Sequence, residues 1–167
     1  MLRCLLTFAT LVLLWALTGQ ANHALAPLQV YLFLGGLFVT FAALRLSSRA
    51  GLATALLAGL LNDAATPLPF GTQMLLFAAA CLVIQSVRDR LPHDVVFIQV
   101  VVALLANLAL FVAFSLLRGH SVAGVAWARL GVDLLCSQAV LLAIAPWFFA
   151  LQTHTLQLLR PGFSAFD

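Results

Sequence analysis

The sequence contains no lysine and no glutamate. All its formal charge rests on eight arginines and five aspartates, 8% of 167 residues. A soluble domain carries roughly a quarter of its residues as charge, because its surface must face water. So sparse a complement excludes an ordinary water-exposed domain. The arginines are scattered rather than gathered on one face, which excludes a nucleic-acid interface. Cysteine is scarce too: Cys4, Cys81 and Cys136 each lie in an apolar stretch, with no ligand spacing and an odd count. They read as small hydrophobes, not as a disulfide framework or a metal site. His23, His93, His120 and His154 fall at helix ends or in loops, with no metal-motif spacing. There is no phosphate-binding loop, no G-x-S-x-G, no H-E-x-x-H and no dinucleotide fingerprint. The expectation is a protein without cofactor, without metal and without catalytic activity.

What the chain has is apolar length: 64% of it is hydrophobic, with a mean hydropathy of +1.13. The medium around it is therefore lipid, and a span needs ~20 mostly apolar residues. That makes the fold class all-α, a polytopic transmembrane helical bundle of about six spans and a single membrane domain. The spans are expected at residues 4–18, 26–44, 50–63, 71–87, 94–117 and 132–152. The first run, after Arg3, is followed by Ala24-Leu25-Ala26, which has the form of a signal-peptide cleavage site. Pro27 immediately after it disfavours cleavage, and Trp15 suits an interfacial anchor, so the run is read as a retained helix. Gly35-Gly36 at mid-span two permits close helix approach or a kink. The third run, with Gly51, Ala53, Ala55, Ala58 and Gly59, is rich in small residues and is expected to pack among other helices. Pro67, Pro69 and Gly71 break the helix after it. Asp94 is placed to cap the fifth helix. Residues 118–129 read as a loop with a short interfacial helix.

The arginines orient the bundle. With six spans and the N-terminus inside, Arg3, Arg45, Arg49, Arg88, Arg90 and Arg160 are cytoplasmic, and Arg118 and Arg129 face outward. Both termini then lie in the cytoplasm and the Asp63 turn faces outside.

Charge within a membrane region is costly and draws attention to its few carriers. Asp63 ends the third helix beside Asn62. Asp133 lies near the outer end of the sixth, one turn after Arg129, so an Asp63–Arg129–Asp133 cluster is geometrically open. The bland alternative is that each aspartate caps a helix end or reaches the interface. Gln99 and Asn107 share one face of the fifth helix. Together with Gln73, Gln85, Ser137 and Gln138 they form either a polar pocket or, more commonly, a set of interhelical hydrogen bonds.

The stretch Gly59-Leu60-Leu61-Asn62-Asp63, followed by Pro67-Leu68-Pro69-Phe70-Gly71-Thr72-Gln73, resembles the most recognisable motif of the rod shape-determining MreD family. That motif is a Gly-rich helix ending in Asp, then a Pro/Gly turn opening the next helix. Arg88-Asp89-Arg90 also suits the family's basic cytoplasmic turn. The absence of Lys and Glu and the doubled Pro67/Pro69 are not required by it. The resemblance implies a non-enzymatic scaffold of the bacterial cell-elongation and peptidoglycan-synthesis machinery in the cytoplasmic (inner) membrane. Its partners would be membrane lipids, MreC and other elongation-complex proteins. Gly59, Asn62, Asp63, Pro69, Gly71, Arg129 and Asp133 are the candidate motif and contact residues. The competing reading is the substrate-binding membrane subunit of a vitamin transporter of the energy-coupling-factor type, a fold the family is expected to share. Asn62, Asp63, Gln73 and Asn107 would then line a pocket open to the outside.

Overall fold

The computed structural model describes residues 2–64, 69–90, 95–117 and 124–158. Among these there are six α-helices and no strand: α1 (Leu2–Leu25), α2 (Gly35–Arg45), α3 (Ser48–Asp63), α4 (Thr72–Arg88), α5 (Val96–Leu117) and α6 (Gly124–Leu158). The expected all-α bundle is what forms. Pro67, His93, the expected cap Asp94, Arg118, His120 and Arg160 lie outside the described residues. Three segments are long and apolar enough to cross a bilayer: Leu5–Leu28, Val96–Leu117 and Trp127–Thr155. α2 and α4 are apolar but shorter.

The second expected span, 26–44, is only partly helical. Ala26–Leu28 forms a single 3-10 turn with proline at its start, and Gln29 closes it in the left-handed region at φ 55°. Residues 30–34 carry no regular structure, and the helix begins only at Gly35. Proline fixes the entry and interrupts the helical run, so the chain emerges without an intrahelical ladder. An 11-residue helix reaches only ~17 Å, short of a ~30 Å hydrocarbon core. Segment 30–45 is therefore part irregular chain and part helix.

α2 is the hub of the bundle. Every residue from Gly35 to Leu44 is buried, so it is apolar all round, as a helix enclosed by others should be. Phe38 meets Phe77 of α4 at 6.3 Å, and Phe41 stacks on Phe149 of α6 at 6.2 Å. α5 approaches so closely that a Cβ on Gly36 would lie 2.8 Å from the backbone nitrogen of Asn107. α3 uses its small residues as expected. A Cβ on Gly51 would sit 2.6 Å from the Ala42 carbonyl oxygen, and one on Gly59 would meet the backbone of Gln73 and Met74. At the opposite end from the Asp63 turn, Arg88 Nη1 donates to the Leu46 carbonyl at 2.9 Å, and Gln85 Nε2 to that of Ser48 at 3.2 Å. These bonds hold the α2–α3 turn against the end of α4.

The sixth helix starts earlier than the expected 132. Residues 124–129 belong to α6, so the expected separate interfacial helix is its own first turns, with Trp127 and Arg129 exposed.

Candidate functional site

The motif residues assemble into one turn. Asp63 is 4% exposed at the end of α3. Its Oδ1 accepts the N–H of Gln73 at 2.8 Å. Its Oδ2 accepts those of Gly71 and Met74 at 3.0 and 3.1 Å. The first N–H groups of a helix have no partner within it, and a carboxylate there satisfies them and complements the dipole. Asp63 thus caps α4 from the helix before it. Pro69 accepts both the N–H of Thr72, at 3.2 Å, and its hydroxyl, at 2.6 Å. Gly71 sits at φ 96°, a conformation glycine adopts without strain. Gly59 allows the two helices to approach closely enough for the carboxylate to reach. Gly59, Asp63, Pro69 and Gly71 are therefore parts of one backbone lock between α3 and α4.

Asn62, a third of a turn away, faces elsewhere. It lines a cleft of about 180 Å³ together with Trp15, Thr18 and Asn22 of α1, Tyr31 of the irregular segment, and Phe38.

That segment is held by side chains in place of a ladder. Tyr31 N–H donates to Asp133 Oδ1 at 2.9 Å, and Phe33 N–H to Ser137 Oγ at 2.9 Å. Leu32 bonds the Asn22 amide in both directions, its N–H to Oδ1 at 2.7 Å and its carbonyl from Nδ2 at 3.0 Å. Gly36 N–H donates to Asn107 Oδ1 at 3.0 Å. Phe33 is wedged against α5, stacked on Phe114 at 5.7 Å and edge-on to Phe111 at 6.1 Å. Non-helical backbone at membrane depth survives only where protein encloses it and meets its polar groups. Four helices contribute here: α1, α5 and α6 by hydrogen bonds, and α4 through Phe77 beside Gly35.

These bonds correct the expected Asp63–Arg129–Asp133 cluster. Asp63 is turned to α4 and Asp133 to Tyr31, while Arg129 lies on the exposed side of α6. The reason is the unpaired backbone: Asp63 accepts the first N–H groups of α4 and Asp133 that of Tyr31. The amides mostly act as interhelical bonds. Gln138 Nε2 donates to the Leu104 carbonyl at 3.2 Å, and Gln152 Nε2 to Thr10 Oγ1. Gln99 and Asn107 are both buried on the inward face of α5. Gln73 departs from this pattern, being wholly buried with neither side-chain amide atom hydrogen-bonded.

Asn22, the residue that completes the anchoring, is not among the residues the sequence singles out. No side-chain pattern marks it, since its partners are the backbone N–H and carbonyl of Leu32.

Apolar helices of spanning length, a broken segment stitched by polar side chains of neighbouring helices and a capped helical hairpin define an integral membrane helical bundle. The chain belongs to the MreD family: the model for rod shape-determining protein MreD matches residues 2–155. The match extends the resemblance from the α3–α4 motif to nearly the whole chain. No curated protein and no solved structure matches it.

Proposed function

We propose that this protein is a non-enzymatic scaffold of the cell-elongation machinery, embedded in the cytoplasmic membrane with both termini inside. The match over residues 2–155 to a family described as rod shape-determining carries this reading. The internal polar groups support it. Asp63, Asp133, Asn22, Asn107 and Ser137 each bond the protein's own backbone, a use that rigidifies a framework. Docking of MreC-like and other elongation proteins would then occur on outward helix faces and short turns. Arg45, Arg49, Arg88 and Arg90 gather at the end of the bundle opposite the Asp63 turn, in keeping with the positive-inside rule.

The transporter reading finds less support. Of its four expected pocket residues, Asp63 is committed to α4 and Asn107 to Gly36, and Asn62 alone lines the cleft.

Depletion in the native bacterium tests the proposal. Rods should round up, and re-expression should restore them, with an MreC-like protein co-purifying from solubilised membranes. Depleted cells that stay rod-shaped but lose uptake of a vitamin would overturn the scaffold in favour of the transporter.

A further inference from the structure

We infer that the cleft between α1 and the irregular segment 30–34 is a binding site for a small uncharged ligand with a flat apolar ring and a neutral hydrogen-bonding group.

Its size admits such a molecule. A cavity of ~150 Å³ suffices for benzene, and this one is about 180 Å³. Its walls are aromatic, with Trp15, Tyr31 and Phe38 offering faces and edges to a ring. None of the described lining residues carries a charge at neutral pH. An ion bound there would meet no opposite charge among these residues, which favours a neutral ligand.

The polar atoms argue for a ligand with a hydrogen-bonding group and against a lipid tail. Asn62 Nδ2 makes one long 3.5 Å bond to the Ala58 carbonyl, which leaves most of that amide's capacity for a guest. The Thr18 hydroxyl donates to the Leu14 carbonyl at 2.8 Å and keeps its lone pairs as acceptors. An acyl chain would cover these groups without answering them, at an energetic cost. Tyr31, 39% exposed, stands at the rim.

The floor is already ordered. The irregular segment is fixed by Asn22, Asp133 and Ser137, so binding would not have to order it first. Broken helices at membrane depth are where membrane proteins commonly form ligand sites. This inference stands apart from the scaffold reading, because a scaffold can hold such a ligand and an empty cleft would leave the scaffold untouched.

Gly19 makes the test clean. It lines the cleft, and a Cβ built on it meets nothing within 4 Å. Gly19→Leu should therefore add an isobutyl group at the cleft wall without a clash at its Cβ. With Trp127 and Trp147 changed to Phe, Trp15 reports alone. The full chain in phosphatidylglycerol nanodiscs would be titrated with 4-bromobenzamide, a neutral ring whose bromine quenches indole fluorescence. The expected result is saturable quenching of Trp15 that Gly19→Leu abolishes. Asn62→Leu, which leaves α1 untouched, should weaken binding about three- to tenfold, the value of one neutral hydrogen bond. It serves as the readout should Gly19→Leu not assemble. Quenching that rises linearly with probe and is equal in wild type and the variants is bilayer partitioning and overturns the inference. So does quenching by phospholipid brominated on its acyl chains that Gly19→Leu relieves and 4-bromobenzamide fails to displace, since the cleft is then a lipid-tail groove.

Discussion

Asp63 Oδ1 and the N–H of Gln73 lie 2.8 Å apart, a bond between the end of α3 and the start of α4. Asp63→Asn removes the charge and turns one acceptor into a donor aimed at Gly71 and Met74 or at Gln73. The loss should be about 2 kcal/mol, the scale of charge-assisted hydrogen bonds broken at a buried cap. A lower unfolding midpoint of the purified protein, with no partner present, is the expected measurement. An unchanged midpoint with lost shape complementation would instead make Asp63 a contact residue.

Gly59→Ala forces a methyl group into the backbone of α4 at Gln73 and Met74. Overpacking of this kind costs about 1–3 kcal/mol. Gly19→Ala, whose methyl group meets nothing, should gain about 0.5–1 kcal/mol from helix propensity. Opposite shifts in the thermal midpoints of the two variants check this, and equal shifts would refute the packing assignment.

Ser137→Ala removes the acceptor of the Phe33 N–H, and Asn22→Leu removes both bonds to Leu32. Hydrogen exchange at residues 32 and 33 should quicken, while exchange in α5 stays slow. Unchanged protection in both variants would mean that these side chains do not hold the segment.

Arg88→Gln should loosen the α2–α3 turn, since Nη1 bonds the Leu46 carbonyl at 2.9 Å. Raised protease sensitivity near Ser47 is the expected signature. Arg88→Lys should restore only part of the protection, because a point charge does not reproduce the forked guanidinium.

Orientation is open to chemical labelling. In a cysteine-free background, Phe70→Cys should react with an impermeant maleimide in intact spheroplasts, and Arg49→Cys only after lysis. Both side chains are exposed, so access to the reagent and not burial decides the result.

Composition alone carried the helical membrane class, because lipid leaves almost no other choice for a chain so poor in charge. The α3–α4 lock was legible for the same local reason: Asp63, Pro69 and Gly71 are close in sequence and their turn chemistry is short-range. The limits of α2 were not. An apolar run of 19 residues, 26–44, reads as one helix by hydropathy, which does not register that Pro27 and Gly35 frame a stretch bonded to remote side chains. The roles of Asp133 and Asn22 escaped likewise, since their partners are backbone atoms whose positions no side-chain pattern reveals.

The irregular segment also fixes an order of biosynthesis. The acceptors for the N–H groups of Gly36, Tyr31 and Phe33 lie 71, 102 and 104 residues further along the chain. At about 5–20 residues per second, segment 30–36 waits several seconds beside the translocon before its last acceptors emerge. Ribosome-stalled chains ending before residue 130 should expose this segment to water-soluble reagents, and chains completed through α6 should hide it. Closure of the bundle around segment 30–36 therefore waits for α6, which supplies the acceptors of Tyr31 and Phe33.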